Sequence, residues 1–204
     1  MEMTAPALSR IIDGQGSLQP ALVLALSLVT RVDRSLLISC RIRPASGNWL
    51  RAPWYDPRNG GGAITLGSTI YFNRNWFWFA GEQARGDGSP ESSWRWFGHL
   101  AHEVGHLPQA ERYGHGLGGK ARYVSAFAGQ YLWRALSMKG QVHDGAALER
   151  EADRGRWVLQ RLVGARPVVH PLVQAVHAGD AEAVSIWCLA NASAIEAAHR
   201  AYPY

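Results

Sequence analysis

The sequence predicts an α+β fold, mainly helical, with a small N-terminal β-sheet and one helix that carries His102-Glu103-Val104-Gly105-His106. Three observations predict it. Short runs rich in branched and aromatic residues mark the first part of the chain, whereas apolar residues recurring at helical spacing fill the remainder. Two histidines at i and i+4 belong on a helix, where both imidazoles rise from one face. A chain of 204 residues that is 47% hydrophobic and 18% charged can bury a substantial core. The expected organisation is a single domain over 1–204, with its core at about 36–165 and C-terminal helices over 167–201 packed on it.

Taken in chain order, residues 19–31 read as a helix around the apolar run 21–29. That run is too short to cross a bilayer and begins too far in, without a basic start or a small-residue cleavage site, to read as a signal peptide. A buried helix is expected there, no membrane association, and a location that is cytoplasmic by default or reached through a dedicated secretion system. Residues 36–43 read as a strand rich in branched side chains, and 63–72 alternate well enough for a second strand. Gly/Pro-rich punctuation at 53–62 and 86–90 separates these parts.

Ser89-Pro90 pairs an N-cap with a first-turn proline, so a helix starts there and should run to about 107. Pro108 removes a backbone donor and is expected to end or kink that helix just after the second histidine. On it Phe97, Leu100, Ala101 and Val104 share a packing face, while Arg95, His99, His102 and His106 share another. Further helices are expected over 120–139, 146–163, 171–178 and 181–201. Cys40 and Cys188 match no C-x-x-C or disulfide spacing and read as separate buried thiols. Tryptophans concentrate at Trp76, Trp78, Trp94 and Trp96, either as an aromatic core or as the wall of a substrate groove.

The chemistry is concentrated in the H-E-x-x-H motif. On a helix it offers His102 and His106 to one zinc ion and places Glu103 beside the remaining coordination position. Catalytic zinc takes three protein ligands, so a third must come from elsewhere. The helical segment Glu149-Arg150-Glu151-Ala152-Asp153 puts Glu149 and Asp153 on one face: Glu149 as the ligand, Asp153 as the hydrogen-bond acceptor that orients a ligating histidine. Glu151 points elsewhere unless the helix phase differs, and His115, in a glycine-flanked loop, is the principal rival. The longer pattern ending in Gly and a third His is absent, because Gln109 and Arg112 occupy those positions. The expected reaction is peptide-bond hydrolysis by zinc-activated water with Glu103 as general base. Tyr113, Tyr123, His143 and Arg154 are candidates for stabilising the oxyanion, and His99 for supporting the site or lining its cleft.

The segments Thr65-Leu66-Gly67-Ser68-Thr69-Ile70-Tyr71-Phe72, His99-Leu100-Ala101-His102-Glu103-Val104-Gly105-His106 and Gln109-Ala110-Glu111-Arg112-Tyr113-Gly114 resemble the small zincin-like core domain associated with extracellular contractile injection systems. They are also similar to the wider gluzincin peptidases, whose third ligand is a glutamate in an E-x-x-x-D setting. The resemblance covers about residues 60–155. It implies that residues 64–72 form the strand bordering the cleft and that His102, His106 and Glu149 bind Zn2+. Pro108 and the Gly-His-Gly turn depart from the pattern, which keeps His115 open as a ligand.

The partner implied is a protein or peptide substrate. Two other function classes compete: a zinc-stabilised binding or cargo domain that cleaves nothing, and a DNA-associated protease of the SprT-like class. The net charge of +5 rests on 19 Arg and 2 Lys. These are scattered as on a solvated surface, so nucleic acid is not the expected partner, although the positive charge leaves it open.

Overall fold

The structure is a computed structural model that describes residues 10–45, 63–72, 76, 88–114, 116–137 and 146–204, with the side chains of 131–137 excepted. His115, His143, Trp78 and the punctuation at 53–62 and 86–87 lie outside the described residues.

Helix α1 (Pro20–Thr30) opens on a proline, where the missing N–H has no partner to lose, and buries Leu22, Ala25, Leu26 and Val29 completely. It is the buried helix expected from the apolar run. The strand expected over 36–43 forms only at its end. Asp33 caps a short helix, α2 (Arg34–Ser39), by accepting from the Ser35 amide at 2.7 Å, and this cap overrides the strand preference of the branched residues. Extended backbone begins at β1 (Arg41–Pro44).

The strand expected over 63–72 is a hairpin, β2 (Ala63–Leu66) and β3 (Thr69–Phe72), joined by Gly67-Ser68. Gly67 has φ +64° at the first central position of this two-residue turn, a conformation that glycine adopts without strain. β3 lies between its neighbours, parallel to β1 and antiparallel to β2, with Thr65 opposite Ile70. The outer side of β1 is covered by the N-terminal turn, where the Ile42 amide donates to the Gly16 carbonyl at 2.7 Å. β2 is therefore the sheet edge nearest the motif helix.

Helix α3 (Pro90–Glu103) starts at the expected cap, with the Ser89 hydroxyl accepting from the Ser92 amide at 3.1 Å. Its end differs from expectation. The α-helix stops inside the motif, tightens through Val104 and Gly105, and resumes as α4 (His106–Tyr113). Gly105 N–H bonds to His102 O and Leu107 N–H to Val104 O, both over three residues rather than four. Pro108 explains this: it has no N–H for the Val104 carbonyl and its ring would clash there, so the break falls one turn earlier and the proline sits in the first turn of α4.

Helix α5 (Leu117–Ser137) begins three residues before the expected start, and α6 (Ala147–Val163) matches its expectation to within a residue. A 3-10 turn (Pro167–Val169) leads to α7 (Pro171–Ala178), α8 (Ala181–Ala190) and α9 (Ala192–Arg200). The last two were expected as one helix over 181–201. Asn191 divides them, turning its amide back to donate to the Trp187 carbonyl at 2.8 Å. One continuous apolar cluster runs from Ile11 to Ala198 and takes in α1, α3, α6 and the C-terminal helices. Cys40 and Cys188 are free and buried, and burial pushes their thiols up to about 12 and about 11. No helix among the described residues is long and apolar enough to cross a membrane.

The feature of the fold that positions the site is the crossing of α3 and α6. A Cβ on Gly155 would lie 2.5 Å from the Ala101 carbonyl oxygen and 2.4 Å from Thr30 Cγ2, and one on Gly105 would lie 2.6 Å from Ala152 Cα. Gly98, also within α3, meets nothing within 4 Å of its Cβ position. We predict opposite effects on urea denaturation. Gly155→Ala should destabilise by about 1–3 kcal/mol through overpacking, and Gly98→Ala should stabilise by about 0.5–1 kcal/mol through helix propensity alone. Equal midpoints for the two variants would contradict the crossing.

Candidate metal centre

α3 and α6 run antiparallel, so the C-terminal end of the motif helix meets the first turns of α6. His102 and His106 project from either side of the helix break with their rings at 89° and centroids 5.1 Å apart. Glu149 reaches them from α6: its Oε2 lies 3.3 Å from His102 Nε2 and 3.6 Å from His106 Nε2. One donor atom from each residue lies within 4.8 Å of the others, and all three side chains are buried.

These separations test whether a metal fits. Donors about 2.0–2.1 Å from a tetrahedral ion stand about 3.4 Å from one another. The two histidine–glutamate distances bracket that value. The donor set, two neutral imidazoles and a carboxylate, can hold a divalent metal ion.

The partners behind the donors are equally specific. His102 Nδ1 lies 3.2 Å from Asp153 Oδ1, and His106 Nδ1 lies 2.9 Å from Gln109 Oε1. Both oxygens accept, so each ring donates from Nδ1, and in its neutral form each would turn the Nε2 lone pair toward the shared point. Asp153 is held in turn by Arg156 at 2.5 Å. Gln109 donates to the Leu148 carbonyl at 2.8 Å and to Glu151 at 3.1 Å, which fixes which end of its amide faces His106. Glu151 also accepts from Arg112 at 2.7 Å, and so braces the site from the outside rather than facing it.

Electrostatics favour positive charge here. Burial opposes an imidazolium at His102, but Asp153, Glu149 and Glu103 outweigh it and raise its pKa to about 9. Burial likewise opposes the Asp153 carboxylate, and the contacts with His102 and Arg156 prevail, holding its pKa below the usual range.

Glu103 is buried beside this cluster at 5% exposure. The Thr65 hydroxyl lies 3.1 Å from both Glu103 Oε2 and the Glu103 carbonyl oxygen, so β2 anchors both the side chain and the end of α3. The other carboxylate oxygen, Oε1, lies 3.7 Å from His99 Nε2. The His99 ring packs against Trp76 and Phe72, with centroids at 4.7 and 5.4 Å, and joins the general-base candidate to an aromatic cluster. Trp96 completes that cluster as core at 1% exposure, whereas Trp94 is only half-buried beside a cleft.

Of the described oxyanion candidates, Tyr123 is the one whose charge state responds to Glu103 and Glu149. It is buried on α5, and burial followed by the charges of Glu103 and Glu149 raises its pKa, so it stays a protonated donor. Tyr113 packs on the Tyr123 ring at 5.7 Å, and Arg154 lies over the Tyr202 ring on the far side of α6.

The structure thus brings His102, His106, Glu149, Asp153 and Glu103 together and turns Glu151 away. Sequence reasoning missed Thr65 and Gln109 as parts of the site. Gln109 carried a usable signal, since it lies three residues after His106 on one helical face. Thr65 carried none, because its contact depends on how the hairpin docks. No protein-family model, curated protein or solved structure matches this chain.

We predict that elemental analysis of natively purified protein finds about one divalent ion per chain. Glu149→Ala and His102→Ala should abolish it, Glu151→Ala should keep it, and Gln109→Leu should weaken affinity about 10–100-fold. Chelation should lower the melting temperature by about 5–10 °C if free metal stands near a hundred times its dissociation constant. Metal retained at full strength in Glu149→Ala would remove that residue from the ligand set.

Proposed function

We propose that the chain is a zinc-dependent metallopeptidase, with His102, His106 and Glu149 as ligands and Glu103 as general base. The observation that carries this reading is the buried His102/His106/Glu149 group with a second buried carboxylate, Glu103, beside it. A site that only stabilised the fold would have no use for Glu103, whose burial is costly. The nitrogen and oxygen donors and the three-ligand count are those of open catalytic zinc sites, and the resemblance to zincin-like domains points the same way. Bound there, zinc would supply Lewis acidity, acidifying water and polarising a carbonyl oxygen.

The protein groups have separable tasks. Thr65 occupies Glu103 Oε2, which leaves Oε1 to take a proton from water and later deliver it to the leaving amine. Tyr123, kept protonated by its surroundings, donates a hydrogen bond to the oxygen on which negative charge develops. Asp153 and Gln109 hold the histidine tautomers. The outer edge of β2, paired on its other side with β3, offers main-chain groups to an extended peptide.

Two variants test the assignment on an unstructured protein substrate such as casein. Glu103→Gln should retain its metal and lose at least about a hundredfold in kcat. Tyr123→Phe should lose about 10–1000-fold in kcat with KM little changed. Cleavage by Glu103→Gln at the native rate would refute the mechanism. A native protein that holds zinc and cuts neither casein nor a diverse peptide mixture would instead be the zinc-stabilised binding domain.

A further inference from the structure

A groove between α3 and α6, beside the metal centre, has a composition of its own. It encloses about 330 Å3, at the lower end for small-ligand sites and suited to one or two side chains. His99 stands at its metal end, with Nε2 3.7 Å from Glu103. Gly98 lies along one side, Trp94 and Trp76 supply apolar walls, and among the described residues the only arginine, lysine or carboxylate side chains lining it are those of Arg95 from α3 and Arg156 from α6.

Two features indicate that the groove is built to remain accessible. Gly98 occupies a helix interior, where glycine costs about 1 kcal/mol, yet nothing lies within 4 Å of its Cβ position, so close packing does not require it. Arg156 spends part of its guanidinium on Asp153, which leaves further N–H donors on a planar fork that can still meet a carboxylate.

The spacing gives the groove a position relative to the reaction. Arg95 precedes His102 by seven residues and Arg156 follows Glu149 by seven. At about 1.5 Å per helical residue Arg95 stands roughly 10 Å from His102 along α3. Arg156, bonded to Asp153 and through it to His102, lies nearer the donors, so the outer end of the groove is at the level of Arg95. An extended peptide advances about 3.3 Å per residue, so that level corresponds to about three residues from the bond at the metal.

We propose that this groove is a specificity subsite that binds a carboxylate of an extended peptide about three residues from the scissile bond, with Arg95 as its principal determinant. The inference rests on the peptidase reading for the orientation of the peptide, while the preference for a carboxylate rests on the groove itself. An acidic side chain and a peptide C-terminus present the same chemistry, and the two are separable.

Binding and cleavage are read separately. Fluorescence anisotropy follows short labelled peptides, each with one Glu at a varied position and an amidated C-terminus, on zinc-loaded Glu103→Gln protein, with Gln-containing twins as controls. The Glu peptide of correct register should bind about tenfold more tightly than its twin. Arg95→Ala should abolish that preference with an unchanged melting temperature, and Arg95→Glu should transfer it to a Lys-containing twin. If the preference appears only with a free C-terminus on a Gln peptide, the groove reads a terminal carboxylate. Equal binding of all twins, no peptide binding, or a preference that survives Arg95→Glu overturns the proposal. Cleavage of the same peptides by the wild-type chain tests the peptidase reading alone: carboxylate-selective binding without any cleavage would sink that reading and leave the subsite standing.

Discussion

The site depends on how closely two helix backbones approach. At Gly155 and Gly105 the main chains of α3 and α6 come near enough that a β-carbon would fit at neither without displacing backbone atoms. A helix pair held 8–10 Å apart by ordinary side chains would leave a glutamate of the first turn of α6 short of the imidazoles at the end of α3 and the start of α4. Here Glu149 reaches both within 3.6 Å. The glycine inside H-E-x-G-H thus belongs to the architecture as much as the histidines do, since it lets Ala152 lie against the motif.

That proximity has an electrostatic consequence. Glu103, Glu149 and Asp153 converge on two histidines in a region largely removed from water. Burying a carboxylate costs several kcal/mol unless opposite charge and hydrogen bonds compensate. Arg156 and the Thr65 hydroxyl compensate in part, and the remaining negative charge favours positive charge at His102. A divalent cation among the same groups would answer all the carboxylates at once, so metal affinity and fold stability are linked through one set of contacts. Such clusters are poor choices for stability alone and recur where chemistry requires them.

Much of this was legible in the chain. The buried helix α1, the Ser89-Pro90 start of α3, the α6 segment and the mainly helical α+β class follow from periodicity and caps, which are local properties. So does the facing of Glu149 and Asp153, a consequence of helical spacing. What was not legible was decided by competition between neighbours. Asp33 turned part of an expected strand into α2, Gly67 folded one expected strand into a hairpin, and Pro108 acted one turn upstream of its own position to divide the motif helix. Glu151 against Glu149 was a question of helix phase, which the structure answers through Gln109 and Arg112 drawing Glu151 outward. Thr65 was invisible because a long-range contact between a strand and a helix end leaves no local trace.

Thr65 also explains why so helical a chain keeps three short strands. Its hydroxyl reaches the carboxylate and the carbonyl of Glu103, so the sheet is fastened to the end of the motif helix at the residue that would move the proton. Side chains alternate faces along a strand, and a slip of one residue in the β2–β3 pairing would present Ile64 or Leu66 to Glu103 instead. Neither could donate a hydrogen bond, and the buried carboxylate would lose its only hydroxyl partner among the described residues. The register is set by the two-residue turn, whose geometry depends on the positive φ of Gly67. A glycine with no contact to the metal donors therefore fixes where Oε2 is held and leaves Oε1 on the side of His99.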